Sequence, residues 1–443
     1  MGARVAAAPP CHSAVCRPCY VTPGMHGSAT RVARQLGGPG ASRWSSSLAV
    51  LTQGLSNVGA LGLGATLSVD APRRVDQPEA VSAALRSWKA EESGRPCIAA
   101  GLFHSAVALP GLGAFLCGKG AGGRLGQGDE ENAGVLTHVQ LAQLEGDGDS
   151  SDVHAVALGG LHSVLLTRSG RVYTAGFGGF GALGRGDYKA QMTAGRVKFP
   201  GNATLRIASI AAGGAHTAAV TTDGQLFTFG RDEGDGRLGT PVGEGGTNTP
   251  THVSMPAGVV PIAAAAGGFH TLVLARRGDD STALLSSGAN ANGECGRDNG
   301  ATWTLGLMDW DAAVTRIAAG GFHSVALTQE GQVFTWGAGS GGALGHGDAR
   351  TQRKPKRVDG LPVSATAVAC GSGTTCAVGA DGSLWLWGKN AARFGTTSAD
   401  VYSPALVALP PGMKALDVAM GASHMVILCS EDGAPASGAD GGR

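Results

Sequence analysis

The chain has 443 residues, of which 75 are Gly; 43% are hydrophobic, only 15% are charged, and the formal net charge is +1. So much Gly without a Gly-X-Y period excludes collagen, and so much apolar content excludes a disordered polymer, leaving a globular array with many obligatory turns. The charge is unevenly placed: no Asp, Glu or Lys precedes Asp70, so Arg4, Arg17, Arg31, Arg34 and Arg43 give residues 1–69 a charge of +5 and leave −4 for the rest, which disfavours phosphate neutralisation by the folded part.

Residues 1–47 form an Arg- and Ser-bearing, acid-free leader, the composition of an organelle transit peptide. A positive leader is drawn towards a negative matrix, so a mitochondrial destination is expected, with plastid, cytoplasm or nucleus as alternatives. Cys16 and Cys19 make a CxxC beside Cys11, but with no second pair they carry no metal or redox assignment. The other six cysteines stand in apolar, strand-like contexts, where Cys packs as a small hydrophobe. Residues 48–64 begin a repeat at its second half, with Gly54 and Leu61 seven residues apart, as are Gly118 and Leu125. Stretches 48–69 and 98–118 lack charge over a bilayer's length. Both are Gly-rich and in register with repeat copies that carry charges, so no integral membrane segment is expected. Pro78 followed by Val81, Ala84, Leu85 and Trp88 predicts a short amphipathic helix packed on the side of the array.

The repeat proper centres on His104, His162, His216, His270, His323, Thr374 and His424, at intervals of 50 to 58 residues. Its best copy runs from Ile317 through Gly-Gly-Phe-His323-Ser, then Glu330-Gly331, then Val-Phe-Thr-Trp336-Gly337, and ends at Leu344-Gly-His-Gly-Asp348. Five copies place a Gly fourteen residues after the central position: Gly118, Gly176, Gly230, Gly337 and Gly388; the His270 copy is four longer. Constant spacing within units and variable spacing between them indicates rigid units joined by tolerant loops. Pairs such as Ser169-Gly170, Asp223-Gly224 and Asp381-Gly382 supply the positive φ of tight hairpins. No helical period interrupts the units, so each reads as antiparallel β, and β units repeated at this period predict propeller blades. The C-terminal copy, 418–429, supplies only a first half; joined to 48–64 it makes a seventh unit. The expectation is an all-β, seven-bladed β-propeller over 48–430, closed by pairing of N- and C-terminal strands, with a disordered tail at 431–443.

The six histidines are read as structural, each bonding backbone within its own blade and holding the hairpin to its neighbour. Equivalent positions around a ring do not converge on one ion, and no metal is expected. Gly118-Gly120-Gly123, Gly176-Gly178-Gly181 and Gly337-Gly339-Gly342 match GxGxxG, but none opens a helix, so no nucleotide cofactor is expected. Asp129, Asp187 and Asp348 recur with the repeat as loop-capping acids, and no catalytic residue is assigned. The one basic cluster, Arg350, Arg353, Lys354, Lys356 and Arg357, reads as a solvated inter-blade loop and the sole candidate contact patch, for instance for rRNA.

The string G-G-F-H-S, E-G-Q-V-F-T-W-G and L-G-x-G-D resembles the repeat of the regulator of chromosome condensation family across residues 48–430. That resemblance implies a seven-bladed propeller with a shared closing blade. It implies no single activity, since members include exchange factors for small GTPases, ligase modules, photoreceptors and adaptors. The scattered tryptophans (Trp44, Trp88, Trp303, Trp310, Trp336, Trp385, Trp387) disfavour the photoreceptor branch. With the leader, the resemblance implies a non-enzymatic, monomeric mitochondrial propeller that binds protein, or ribonucleoprotein, during assembly of a complex such as the ribosome or a respiratory complex. The alternative is a guanine-nucleotide exchange factor for a small GTPase, whose wedge would come from 65–97 or 130–154.

Overall fold

In a computed structural model, each repeat closes as a four-stranded antiparallel sheet, and seven such sheets make a propeller. The structure describes residues 47–431 apart from 65–67, 89–94, 143–151, 202–203, 244, 298–301 and 395–399. Residues 1–46 of the leader, with Cys11, Cys16 and Cys19, residues 432–443 of the expected tail, and parts of the two expected wedge segments lie outside the described residues, whereas Glu431 ends the last strand.

Six blades are built from consecutive strands: 97–138, 153–196, 207–253, 259–307, 314–357 and 365–407. In the seventh, the strands run Ser68–Arg74, Leu48–Leu55, His424–Glu431, Met413–Met420 from outside inward, so two come from each end of the chain. Their junction is a continuous ladder from Leu48 opposite Ser430 to Gly54 opposite His424. It is finished by a bond from the Glu431 amide to the Ser47 carbonyl at 2.9 Å and an ion pair between Arg74 and Glu431. A closed ring leaves none of the long free edges that an open array would expose.

The second strand of a blade is buried at every position in His162–Thr167, and in the fourth blade at all but Arg276 and Arg277. It lies between its own blade's neighbours in the sheet and between the faces of two adjacent blades, so both of its sides are core; this is why alternation of apolar and polar residues is weak there. The first strand of each blade lies against the first strand of the next, forming the inner ring. There Arg316 of the fifth blade reaches past the sixth to Asp417 of the seventh, Nη1 to Oδ1 3.4 Å. The sixth blade has Ala367 at the matching register, paired with Val378 as Arg316 is with Leu327 and Asp417 with Leu428.

The expected helix forms at Glu79–Arg86 and buries Val81 and Leu85 among Leu48, Val50, Val75, Ile98 and Leu136. It thereby covers the outside of the junction between the closing blade and the first. Segments 48–69 and 98–118 contribute strands, and no helix of the described residues is long and apolar enough to cross a membrane. One expectation is corrected. The basic run is not a loop: Gln352–Arg357 is the outermost strand of the fifth blade. An edge strand sees water along one side, which tolerates both its charges and Pro355.

Candidate functional site

The central residue of every repeat stands opposite a glycine across the sheet: His104 and Gly118, His162 and Gly176, His216 and Gly230, His270 and Gly288, His323 and Gly337, Thr374 and Gly388, His424 and Gly54. All seven glycines have φ between 101 and 127 degrees. A Cβ on Gly176 would lie 2.6 Å from the His162 Cα and 2.6 Å from the Leu161 carbonyl oxygen, so only Gly lets the third strand approach. Two residues on, Gly178 lets the following loop fold back on itself, where a Cβ would collide with the Lys189 carbonyl. The GxGxxG strings follow from this loop geometry.

Five of the six rings are bonded to a hydroxyl of the next blade, which corrects the expectation of a backbone partner within their own. Nε2 of His104 meets Ser163 Oγ at 3.0 Å, and His162, His216, His270 and His323 likewise meet Thr217, Thr271, Ser324 and Thr375 at 2.9–3.0 Å. Those five hydroxyls each donate to a loop carbonyl of the preceding blade, at Arg124, Ala182, Arg237, Glu294 and Ala343, over 2.6–2.8 Å. A hydroxyl has one proton, and it is spent on the carbonyl; the ring must therefore donate from Nε2, which fixes the tautomer and leaves Nδ1 bare. Burial holds the rings neutral: His162, His323 and His424 are lowered to about 4 and His270 to about 3, while His104 and His216 are lowered well below 6.5. The rings point at successive blades, and no group of three or more His, Cys, Asp or Glu able to hold a metal occurs among the described residues.

The relay is incomplete at the closing blade, for two different reasons. The sixth blade has Thr374 where the others have His, and the seventh has Met425 where the others have Ser or Thr, so both halves of one link are replaced together. At the next junction His424 and Ser105 are both present, but His424 Nε2 has no hydrogen-bond partner. Elsewhere the links contribute directly: Ser163→Ala is expected to cost about 2 kcal/mol, because it strands the buried His104 ring and the Arg124 carbonyl. Chemical denaturation of the variant would measure this, with Ser254→Ala, at an exposed position, expected within about 0.5 kcal/mol of the parent.

The loops that carry these residues form one face around the axis. Loops between first and second strands are bonded in sequence around it: Leu102 N to Gly159 O, Gly160 N to Gly213 O, Gly214 N to Gly267 O, Gly268 N to Gly320 O and Gly321 N to Ser372 O, all at 3.0–3.3 Å. Outside this ring Asp129, Asp187 and Asp348 each accept the amide two residues on, at 2.9–3.0 Å, and so shape their loops. The basic cluster does not converge on this face. Arg353 donates to the Ala291 carbonyl of the fourth blade at 2.8 Å, Arg357 pairs with Asp359 at 2.8 Å, and Arg350 lies 3.8 Å from Asp348.

Residues 45–427 match the RCC1-like domain. The chain belongs to that family. Among RCC1-like proteins it is 40% identical over 301 residues to the Arabidopsis thaliana RCC1 domain-containing protein RUG3, mitochondrial, an alignment covering 66% of this chain and 64% of that one. It is 35% identical over 326 residues to human E3 ubiquitin-protein ligase HERC2, covering 70% of this chain but only 6% of the ligase. The A. thaliana ultraviolet-B receptor UVR8 is 30% identical over 336 residues, covering 74% and 73%. The chain thus spans less than two thirds of the first of these relatives and a small part of the second. Among solved structures, human WBSCR16 superposes with a TM-score of 0.72 at 22% identity, covering 87% of this chain and 99% of that one. Yeast Prp20p, studied with Gsp1p and histones, gives 0.70 at 22%, covering 87% and 92%. These two likenesses establish the fold.

The sequence carries a signal for the relay: a hydroxyl directly follows the central residue in six copies, at Ser105, Ser163, Thr217, Thr271, Ser324 and Thr375. In a strand of Ser, Thr and Val such residues pass for ordinary β-formers.

Proposed function

We propose that this RCC1-like propeller is a non-enzymatic mitochondrial interaction module that supports assembly of a multi-subunit complex such as the ribosome or a respiratory complex. The observation that carries the reading is the likeness to RUG3, whose name places that protein in the mitochondrion, together with an acid-free, Arg-bearing stretch ahead of the propeller. The structure is compatible with a binding role: the recurrent polar residues are engaged in holding blades together, which leaves the loop faces to meet a partner.

Two measurements test this. A reporter carrying residues 1–47 is expected in mitochondria; a cytosolic reporter would remove the localisation. Affinity capture of the tagged full chain from purified mitochondria at moderate salt is expected to recover subunits of one assembly. Recovery of a single GTPase, held best without nucleotide, would replace the assembly role with nucleotide exchange.

A further inference from the structure

Each residue that follows the glycine opposite the central residue donates its amide to the carbonyl of the residue before the central histidine or threonine: Lys119 to Phe103, Phe177 to Leu161, Arg231 to Ala215, Ala289 to Phe269, Ala338 to Phe322 and Lys389 to Gly373, all at 2.8–3.0 Å. Leu55 does the same to Ser423 in the closing blade. These pairs ring the mouth of the axis. Their side chains are of two kinds. Phe103, Phe177, Phe269 and Phe322 are each 37–47% exposed, and Phe269 and Phe322 stack across adjacent blades at 5.1 Å. Lys119, Arg231 and Lys389 are the charged members, and none of the pairs contains an acid. Lys119 lies over the Phe103 ring at 5.5 Å, and Arg231 over Phe180 at 4.4 Å while pairing with Glu233.

A second feature adds positive charge from beneath. Arg124 is buried, and its guanidinium is held among the described residues by the carbonyls of Ala121 and Gly160, at 3.0 and 2.9 Å, with no carboxylate. Gly160 belongs to the loop ring itself, so this charge lies in the wall of the mouth. Two carboxylates beside the mouth are already paired, Glu233 with Arg231 and Asp235 with Arg237, whose guanidinium lies 4.9 Å over the Phe269 ring; further acids stand in the loops farther out, at Asp129, Glu130, Glu131, Asp187 and Asp348. Aromatic rings open to solvent beside cations attract an anion that also brings an apolar group.

We propose that this mouth is a docking surface for a short acidic peptide segment of a partner protein, anchored by an aromatic or large aliphatic side chain against Phe269 and Phe322, its carboxylates facing Lys119 and Lys389. The acidic outer loops favour a peptide over a nucleic-acid strand: a segment that ends within the mouth avoids them, whereas phosphates leaving it would cross Asp129–Glu131, Asp187 or Asp348, on a body of charge −4. This surface rests on the reading of the chain as a protein-interaction module, and it can fail while that reading stands.

The test is selection of short random peptides displayed on phage against the full chain. Selected peptides are expected to carry excess Asp and Glu around an aromatic or aliphatic residue. Resynthesised, they are expected to bind about tenfold or more weakly to Lys119→Glu/Lys389→Glu and to Phe269→Ala/Phe322→Ala. Binding should be unchanged in the charge-matched control Arg353→Glu/Lys356→Glu on the outer strand, with thermal melts showing that each variant is folded. Selection without acid enrichment, or equal loss in the control, would overturn the proposal. So would oligouridylate that binds more tightly than any peptide and is lost in the mouth variants. Mitochondrial capture unaffected by the mouth variants would sink this surface and leave the proposed function intact; empty capture would sink that function independently of the peptide result.

Discussion

Lowering the pH from 7 towards 5 is expected to unfold the propeller cooperatively, well above the range in which carboxylates titrate. The cause is six buried neutral imidazoles. In the unfolded chain they take up protons near 6.5; in the fold, His162, His323 and His424 do so only at about 4 and His270 at about 3. Between those values the unfolded chain binds more protons, so acid draws the equilibrium towards it. Above 6.5 the contribution is whole and insensitive to pH; below the folded values it is fully lost. A ring held near 4 accounts for about 3 kcal/mol, and two or three such rings match the whole stability of a typical domain, about 5–15 kcal/mol. The hydrogen bonds explain why the rings resist: Nε2–H is already given to the next blade, and a proton on the bare Nδ1 of His104, His162, His216 or His270 would be buried without an acceptor. Melting temperatures measured across this range should be level above about 7 and fall steeply below about 6. A level curve down to pH 5 would show that the rings are solvated and the blades not packed as described.

The second large effect is expected from one methyl group. Gly176→Ala should destabilise the fold by about 3 kcal/mol or more, the sum of a φ that L-residues avoid and a contact that cannot relax. Gly176 sits at φ 127 with backbone atoms of Leu161 and His162 both 2.6 Å from any added Cβ. Two controls separate the terms. Gly111→Ala, at φ 84 with open space around it, should show only the conformational part, about 1 kcal/mol. Gly278→Ala, with open space and no positive φ, should be close to neutral. Denaturant unfolding that ranks the three otherwise would remove the close approach as the reason for the fixed spacing.

That fixed spacing is what made the architecture legible. A hairpin whose returning strand must pass the central residue without a Cβ needs Gly at a set distance from His, and such a requirement survives in sequence while loops vary. The half-units at 48–64 and 418–429 likewise announced their pairing, because each lacks what the other has. The partner of each ring was harder to read, since it lies on the next repeat, roughly fifty residues away, and alignment of units within themselves does not show it. The basic strand Gln352–Arg357 looks like a loop for a related reason: its charge density signals a solvated segment in isolation, and only the ring shows that the outermost strand of a blade has a wet side. The aromatic mouth was invisible as such. Phe103, Phe177, Phe269 and Phe322 are far apart in sequence and look like core residues until the loops are joined around the axis.

Seven blades would be interchangeable if their joints were alike, but the joints on either side of the closing blade are the ones that lack an imidazole–hydroxyl bond, one through Thr374 and Met425 and the other through His424, where Ser105 still donates to the Ala60 carbonyl of the closing blade. The propeller's first and last strands meet in that same blade, with the Ser47 carbonyl and the Glu431 amide already bonded to each other. In topological terms the molecule is a necklace whose clasp coincides with its least-tied bead. Order along the propeller has no privileged start in such an object: linking Glu431 to Ser47 and opening the circle between the second and third blades would preserve every strand pairing, and would move the break to a joint that His162 and Thr217 hold shut.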